Sequence, residues 1–210
     1  MSNVGWAAVQ RNIWQCVLCR RHPRVECNTR QLTDRPCHPT RLLIVSLAPP
    51  FAPGRASQEP ARSVTNDSAD HLRLFLEATL GPWSVLTAAG LTALHAVKCA
   101  IVPDDSGFQN PPRDVVDACA PLHLGAELSL IEPVAAVTLG AQAYRAIVVA
   151  LASSAPPLLL TRPPNEAVTR RGFDVPGRFT LFAAPFIRGA GRWTAAELIR
   201  AAARKAGVLQ

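Results

Sequence analysis

Arg41-Leu-Leu-Ile-Val-Ser-Leu-Ala48, stopped by Pro49-Pro50, is the stretch on which the fold turns. A short apolar run without helical spacing, ended by two prolines, reads as a buried strand. Downstream, Leu72, Phe75, Leu76 and Leu80 mark one face of a helix over Asp70 to Leu80, with Asn66, Asp67 and Ser68 as candidate caps. Leu91 to Cys99 reads as a second strand. Pro111-Pro112 opens a helix through Val115, Val116, Cys119 and Leu122 to about Ile131. Ala135 to Leu139 is a third strand, Gly140 to about Ser153 a helix, and Ser154 to Pro164 a proline-rich loop. Phe179 to Ala184 gives a fourth strand and Thr194 to Ala206 a closing amphipathic helix. Strands alternating with helices imply a parallel sheet covered on both faces, with functional loops at its carboxyl ends. The unusual residues fall there: Ala48-Pro49-Pro50, Lys98-Cys99, Leu139-Gly140 and Ala184-Pro185.

The 210 residues carry a net charge of +7 and are 49% hydrophobic, which suits one sizeable core and favours a polyanionic partner. No apolar run reaches the roughly 18 uncharged residues of a membrane span. Leu128 to Leu139 is broken by Glu132-Pro133, and Ala146 to Leu160 by Ser153 to Pro157. Of the six cysteines, four stand as Cys16-x-x-Cys19, Cys99 and Cys119. The chain is long for a disulfide scaffold and lacks a signal-like apolar start, so a cytoplasmic chain with reduced thiols is expected. Two thiolates three residues apart can reach one metal centre, and a second pair from a strand end and a helix completes four ligands. Zinc and an iron-sulfur cluster both fit, with a redox Cys-x-x-Cys as the third option. Cys27 and Cys37 read as small hydrophobes.

Taken in order, Cys16-Val-Leu-Cys19, Val45-Ser-Leu-Ala-Pro-Pro50, Val97-Lys-Cys99, Asn110-Pro-Pro leading to Cys119-Ala-Pro-Leu122, and Val137-Thr-Leu-Gly-Ala-Gln-Ala143 form a set. It resembles the iron-sulfur uracil-DNA glycosylases, families 4 and 5, with the Leu-Ala-Pro motif closer to family 5. The resemblance implies a three-layer α/β/α sandwich around a mainly parallel four-stranded sheet. It also implies a [4Fe-4S] cluster held by Cys16, Cys19, Cys99 and Cys119. Residues 1–40 would be an arm carrying two ligands, within the same domain as the glycosylase-like body at 41–210. The implied activity is hydrolysis of the N-glycosidic bond of a deaminated base, uracil or a relative, in DNA, by a protein acting as a monomer.

Such chemistry needs a base taken out of the stack, a carboxylate for water or the sugar cation, and donors for the departing base. By the same resemblance, Leu47, Ala48 and Pro49 would line the base pocket, and Phe51 would stack on the base in place of an aromatic that family 4 has near Val64. Thr65-Asn-Asp67 falls where family 5 carries a Thr-Gly-Asp segment, which makes Asp67 the candidate water-positioning carboxylate; a helix N-cap is the alternative role, and Asp70 the alternative residue. His95 takes the slot of a family 4 asparagine that reads the uracil edge, and a core histidine is its bland counterpart. Arg188 and Arg192 would meet DNA. One departure matters: the final motif normally starts with a histidine donor, and Ala184 stands there. A non-enzymatic DNA-binding relative of the same fold is therefore the alternative function.

Overall fold

The computed structural model describes residues 3–26, 39–49, 71–107, 109–152, 165–187 and 189–209. The chain runs through helix α1 (Asn3–Trp14), strands β1 (Val25–Glu26) and β2 (Leu42–Ser46), helices α2 (His71–Leu80) and α3 (Trp83–Ala88), and strands β3 (Leu91–His95) and β4 (Ala100–Ile101). Helix α4 (Arg113–Cys119), a π-helical turn (Ala120–Leu124) and α5 (Gly125–Leu130) follow. Strand β5 (Ala135–Leu139), α6 (Ala141–Leu151), β6 (Phe173–Val175), β7 (Phe179–Ala184) and α7 (Arg192–Lys205) complete the order. The proline-rich loop at 154–164 and the candidate caps Asn66, Asp67 and Ser68 lie outside the described residues, as do Cys27 and Cys37.

All five residues of β2 are buried, and the strand lies inside a five-stranded sheet of order β3-β2-β5-β7-β6. The pairs β2–β3, β2–β5 and β5–β7 are parallel. Alternate β2 side chains enter different cores, as the period of two dictates. Leu43 and Val45 join a cluster with Val115, Val116, Leu124 and Ile147. Leu42 and Ile44 join another with Leu76, Leu86, Leu198 and Ile199.

Two details correct the expected strands. The sheet has five strands instead of four, because β6 returns antiparallel on β7 with Phe173 opposite Leu181 and Val175 opposite Phe179. Entry to β6 depends on Gly172, at φ +71°, where a Cβ would stand 2.6 Å from Thr180 Cγ2 and 2.8 Å from the Phe182 ring. The second strand ends at His95 and does not continue to Cys99. Ala96 and Val97 still donate to the Ser46 and Leu47 carbonyls at 2.8 and 2.9 Å, after which the chain turns and Ala100–Ile101 pairs with Val25–Glu26.

The helix expected from Pro111-Pro112 forms, with Pro112 at its N-cap, but it widens into a π turn at Ala120–Leu124. Pro121 sits in that turn. A proline inside a helix has no N–H to give and crowds the carbonyl one turn back, and a wider turn relieves both. Near the N-terminus, α1 buries Trp6, Val9 and Ile13, spaced as one helical face, and Trp6 joins the cluster of Leu43 and Val45. Among the described residues no helix is long and apolar enough to cross a membrane.

Candidate functional site

Among the parallel strands, β2 sends its chain on to β3 at one side, while β5 lies at its other side and leads into α6. A sheet whose order reverses in this way opens a crevice at the carboxyl ends of the two central strands, the usual ligand position of open α/β sheets. Here those ends are Leu47-Ala48-Pro49 after β2 and Gly140 after β5. Leu47 and Ala48 are partly buried and Pro49 buried. Gly140 has φ +89° and donates its N–H to the Ala184 carbonyl at 2.8 Å, which ties the start of α6 to the end of β7.

His95 ends β3, in register with Ser46 at the end of β2. Ser46 Oγ lies 2.6 Å from His95 Nδ1, and the Ser46 side chain is buried. The other ring nitrogen, Nε2, is buried without a hydrogen-bond partner among the described residues. Burial, and next the charge of Lys98, push the His95 pKa down to about 3, so the ring is neutral at physiological pH. Lys98 Nζ donates to the His95 carbonyl at 2.6 Å and forms a buried ion pair with Glu127 Oε2. Burial raises the Glu127 pKa, and the charge of Lys98 opposes that shift.

On the other side of Lys98, the four singled-out cysteines converge. Cys16 and Cys19 follow α1, Cys99 follows β3, and Cys119 ends α4. All four line one pocket, together with Val97, Lys98 and His123. None is in a disulfide. Burial raises the Cys119 thiol to about 11, while the Lys98 backbone N–H and charge pull the other way. His123 is lowered to about 4, first by burial and then by Lys98. Among the described residues, no group of three or more His, Cys, Asp or Glu side chains is arranged to hold a metal ion. The donor set nevertheless suits a thiolate-bound centre: four unbridged sulfurs from three chain segments line one space, Cys119 buried and Cys16, Cys19 and Cys99 partly so.

The remaining expected residues are more scattered. Asp67, Phe51 and Arg188 lie outside the described residues. Arg192 opens α7, exposed, with its guanidinium 5.6 Å from the centroid of the Phe75 ring. Ala184 is buried at the end of β7, and no donor side chain occupies that position. Sequence reasoning passed over Ser46, Glu127 and His123. Ser46 carried a signal, being the one hydroxyl in an otherwise apolar strand run at its carboxyl end, where ligands gather. Glu127 and His123 lie on the buried side of a helix, where charged residues are rare unless paired. No known protein-family model matches the chain. Nor does any curated protein.

Proposed function

We propose that this chain is a monofunctional DNA glycosylase of the iron-sulfur uracil-DNA glycosylase type, a cytoplasmic monomer that removes a deaminated base from DNA. In this reading the two hydrophobic clusters are the flanks of a three-layer α/β/α sandwich. Cys16, Cys19, Cys99 and Cys119 hold a [4Fe-4S] cluster. What supports it is one observation: four cysteines from three segments far apart in sequence line a single pocket, together with Val97 and Lys98 just past the end of β3 in a mainly parallel sheet.

When bound, the cluster would supply a covalent tie between the N-terminal segment, the end of β3 and α4. The rest of the work falls to side chains. An extruded base enters the crevice against Leu47, Ala48 and Pro49, with Phe51 stacking on it. Asp67 orients the attacking water and answers the positive charge that grows on the sugar as the glycosidic bond lengthens. Negative charge grows on the departing base, and the neutral His95 ring is a donor for it. Arg188 and Arg192 meet the phosphates. A second reading, a DNA-binding relative without activity, is favoured by the buried Ala184 at the position of the usual donor histidine.

Chemical analysis of anaerobically purified protein tests the cofactor. Brown protein with about four irons and four sulfides per chain is expected, and Cys16→Ser, Cys19→Ser, Cys99→Ser or Cys119→Ser should each lose most of the iron. Cys27→Ser and Cys37→Ser should keep it. Colourless protein holding zinc, or iron that survives loss of Cys99 but not of Cys27, overturns the ligand set.

A further inference from the structure

A hydroxyl has one proton, and Ser46 has two acceptors in reach: His95 Nδ1 at 2.6 Å and the Leu94 carbonyl at 3.4 Å. The second contact is at the limit of a hydrogen bond, whereas the first is short. At 2.6 Å the pair is also shorter than the usual range for a ring N–H reaching an oxygen, and suits an O–H donor better. The other pairing, Nδ1–H on Oγ with the hydroxyl on the Leu94 carbonyl, relies on the contact at the limit of a hydrogen bond. Given to the shorter contact, the hydroxyl proton goes to Nδ1. In a neutral imidazole that leaves the ring proton on Nε2. That atom is buried with no partner among the described residues, and a buried N–H left unpaired is destabilising. A bound ligand is the explanation that fits its place at the carboxyl end of a parallel strand.

We infer that Ser46 is a positioning residue that locks His95 as the Nε2–H tautomer, a fixed, uncharged donor at the carboxyl end of β3 for a carbonyl oxygen of the bound base. The inference rests on the glycosylase reading for the identity of that oxygen, and on the Ser46–His95 geometry alone for the tautomer. A fixed donor selects bases that carry an exocyclic oxygen, as uracil and hypoxanthine do, and discriminates against an amino group at the same place. Lys98 supports the arrangement from behind by holding the His95 carbonyl.

Nitrogen-15 NMR of the histidine rings in the full, cofactor-loaded chain tests this directly, with His95→Gln identifying the His95 signals by their loss. The expected result at neutral pH is a protonated Nε2 and a bare Nδ1; the opposite tautomer overturns the inference. Ser46→Ala should release the ring to a mixture of tautomers and slow single-turnover base removal about tenfold with DNA affinity unchanged, and Ser46→Thr should restore both. An unchanged tautomer and rate in Ser46→Ala refute the positioning role. The Nε2–H tautomer in a wild-type protein that cleaves no base would uphold the lock and reject the glycosylase reading instead.

Discussion

In the proposed glycosylase, Asp67 and His95 divide the chemistry at the scale of single residues, and each is open to a separate test. If Asp67 orients water, Asp67→Asn should lower the single-turnover rate by roughly 10²-fold while DNA affinity holds. Were it a helix cap, the same change would be almost silent, since Asn caps about as well as Asp. His95 makes its prediction through stability. Its folded pKa of about 3 lies below the ordinary 6.5 of an unfolded histidine, so the unfolded chain binds the extra proton between those values. Its contribution to stability is complete above about pH 6.5 and is lost progressively as the pH falls toward 3. Urea unfolding at pH 7 and pH 5 should show a loss to which His95 and His123, whose folded pKa is about 4, each contribute on the order of 1–2 kcal/mol, so that His95→Gln removes about half of it. An equal acid sensitivity in that variant would place the titrating group elsewhere.

At the scale of elements, the strands that carry long apolar runs were legible and the short ones were not. Arg41 to Ala48 and Ala135 to Leu139 are continuous runs, and both form buried parallel strands. Strand β6 is Phe173-Asp174-Val175, three residues with a polar centre, and only its pairing with β7 makes it a strand. Helix α1 escaped because its face of Trp6, Val9 and Ile13 is diluted by polar residues and precedes a cysteine motif that reads as an arm. The end of the second strand was misplaced because Ala96 and Val97 are as apolar as a strand; the turn at Lys98 is set by the buried pairing of its ammonium group with Glu127, a contact across 29 residues of chain. Gly172 is the single backbone position on which β6 most depends. Gly172→Ala should cost about 1–3 kcal/mol in chemical unfolding, from a positive φ and a Cβ pressed on Thr180 and Phe182. A neutral result would mean that β6 is not anchored there.

For the whole molecule, the parallel sheet, its covering helices and the gathering of Cys16, Cys19, Cys99 and Cys119 on one pocket follow from the order of motifs along the chain. The partner of His95 does not. Ser46 and His95 are 49 residues apart and meet only because β2 and β3 pair in parallel register, so neither the contact nor the unpartnered Nε2 is visible in one dimension. The proposed glycosylase has three regions: a pocket lined by the four cysteines, a buried Lys98–Glu127 pair whose lysine also lines it, and a strand-end crevice for which His95 is the proposed donor, Ala184 standing at the usual donor position. The central claim is that this crevice breaks a glycosidic bond. Single-turnover incubation of the iron-loaded protein with oligonucleotides carrying uracil, hypoxanthine, xanthine or an undamaged base, followed by alkali, tests it most directly. The account predicts strand breakage at one or more of the oxo-bases, none at the undamaged base, and a rate that falls with Asp67→Asn; intact strands with every base, despite a full complement of iron, would contradict it.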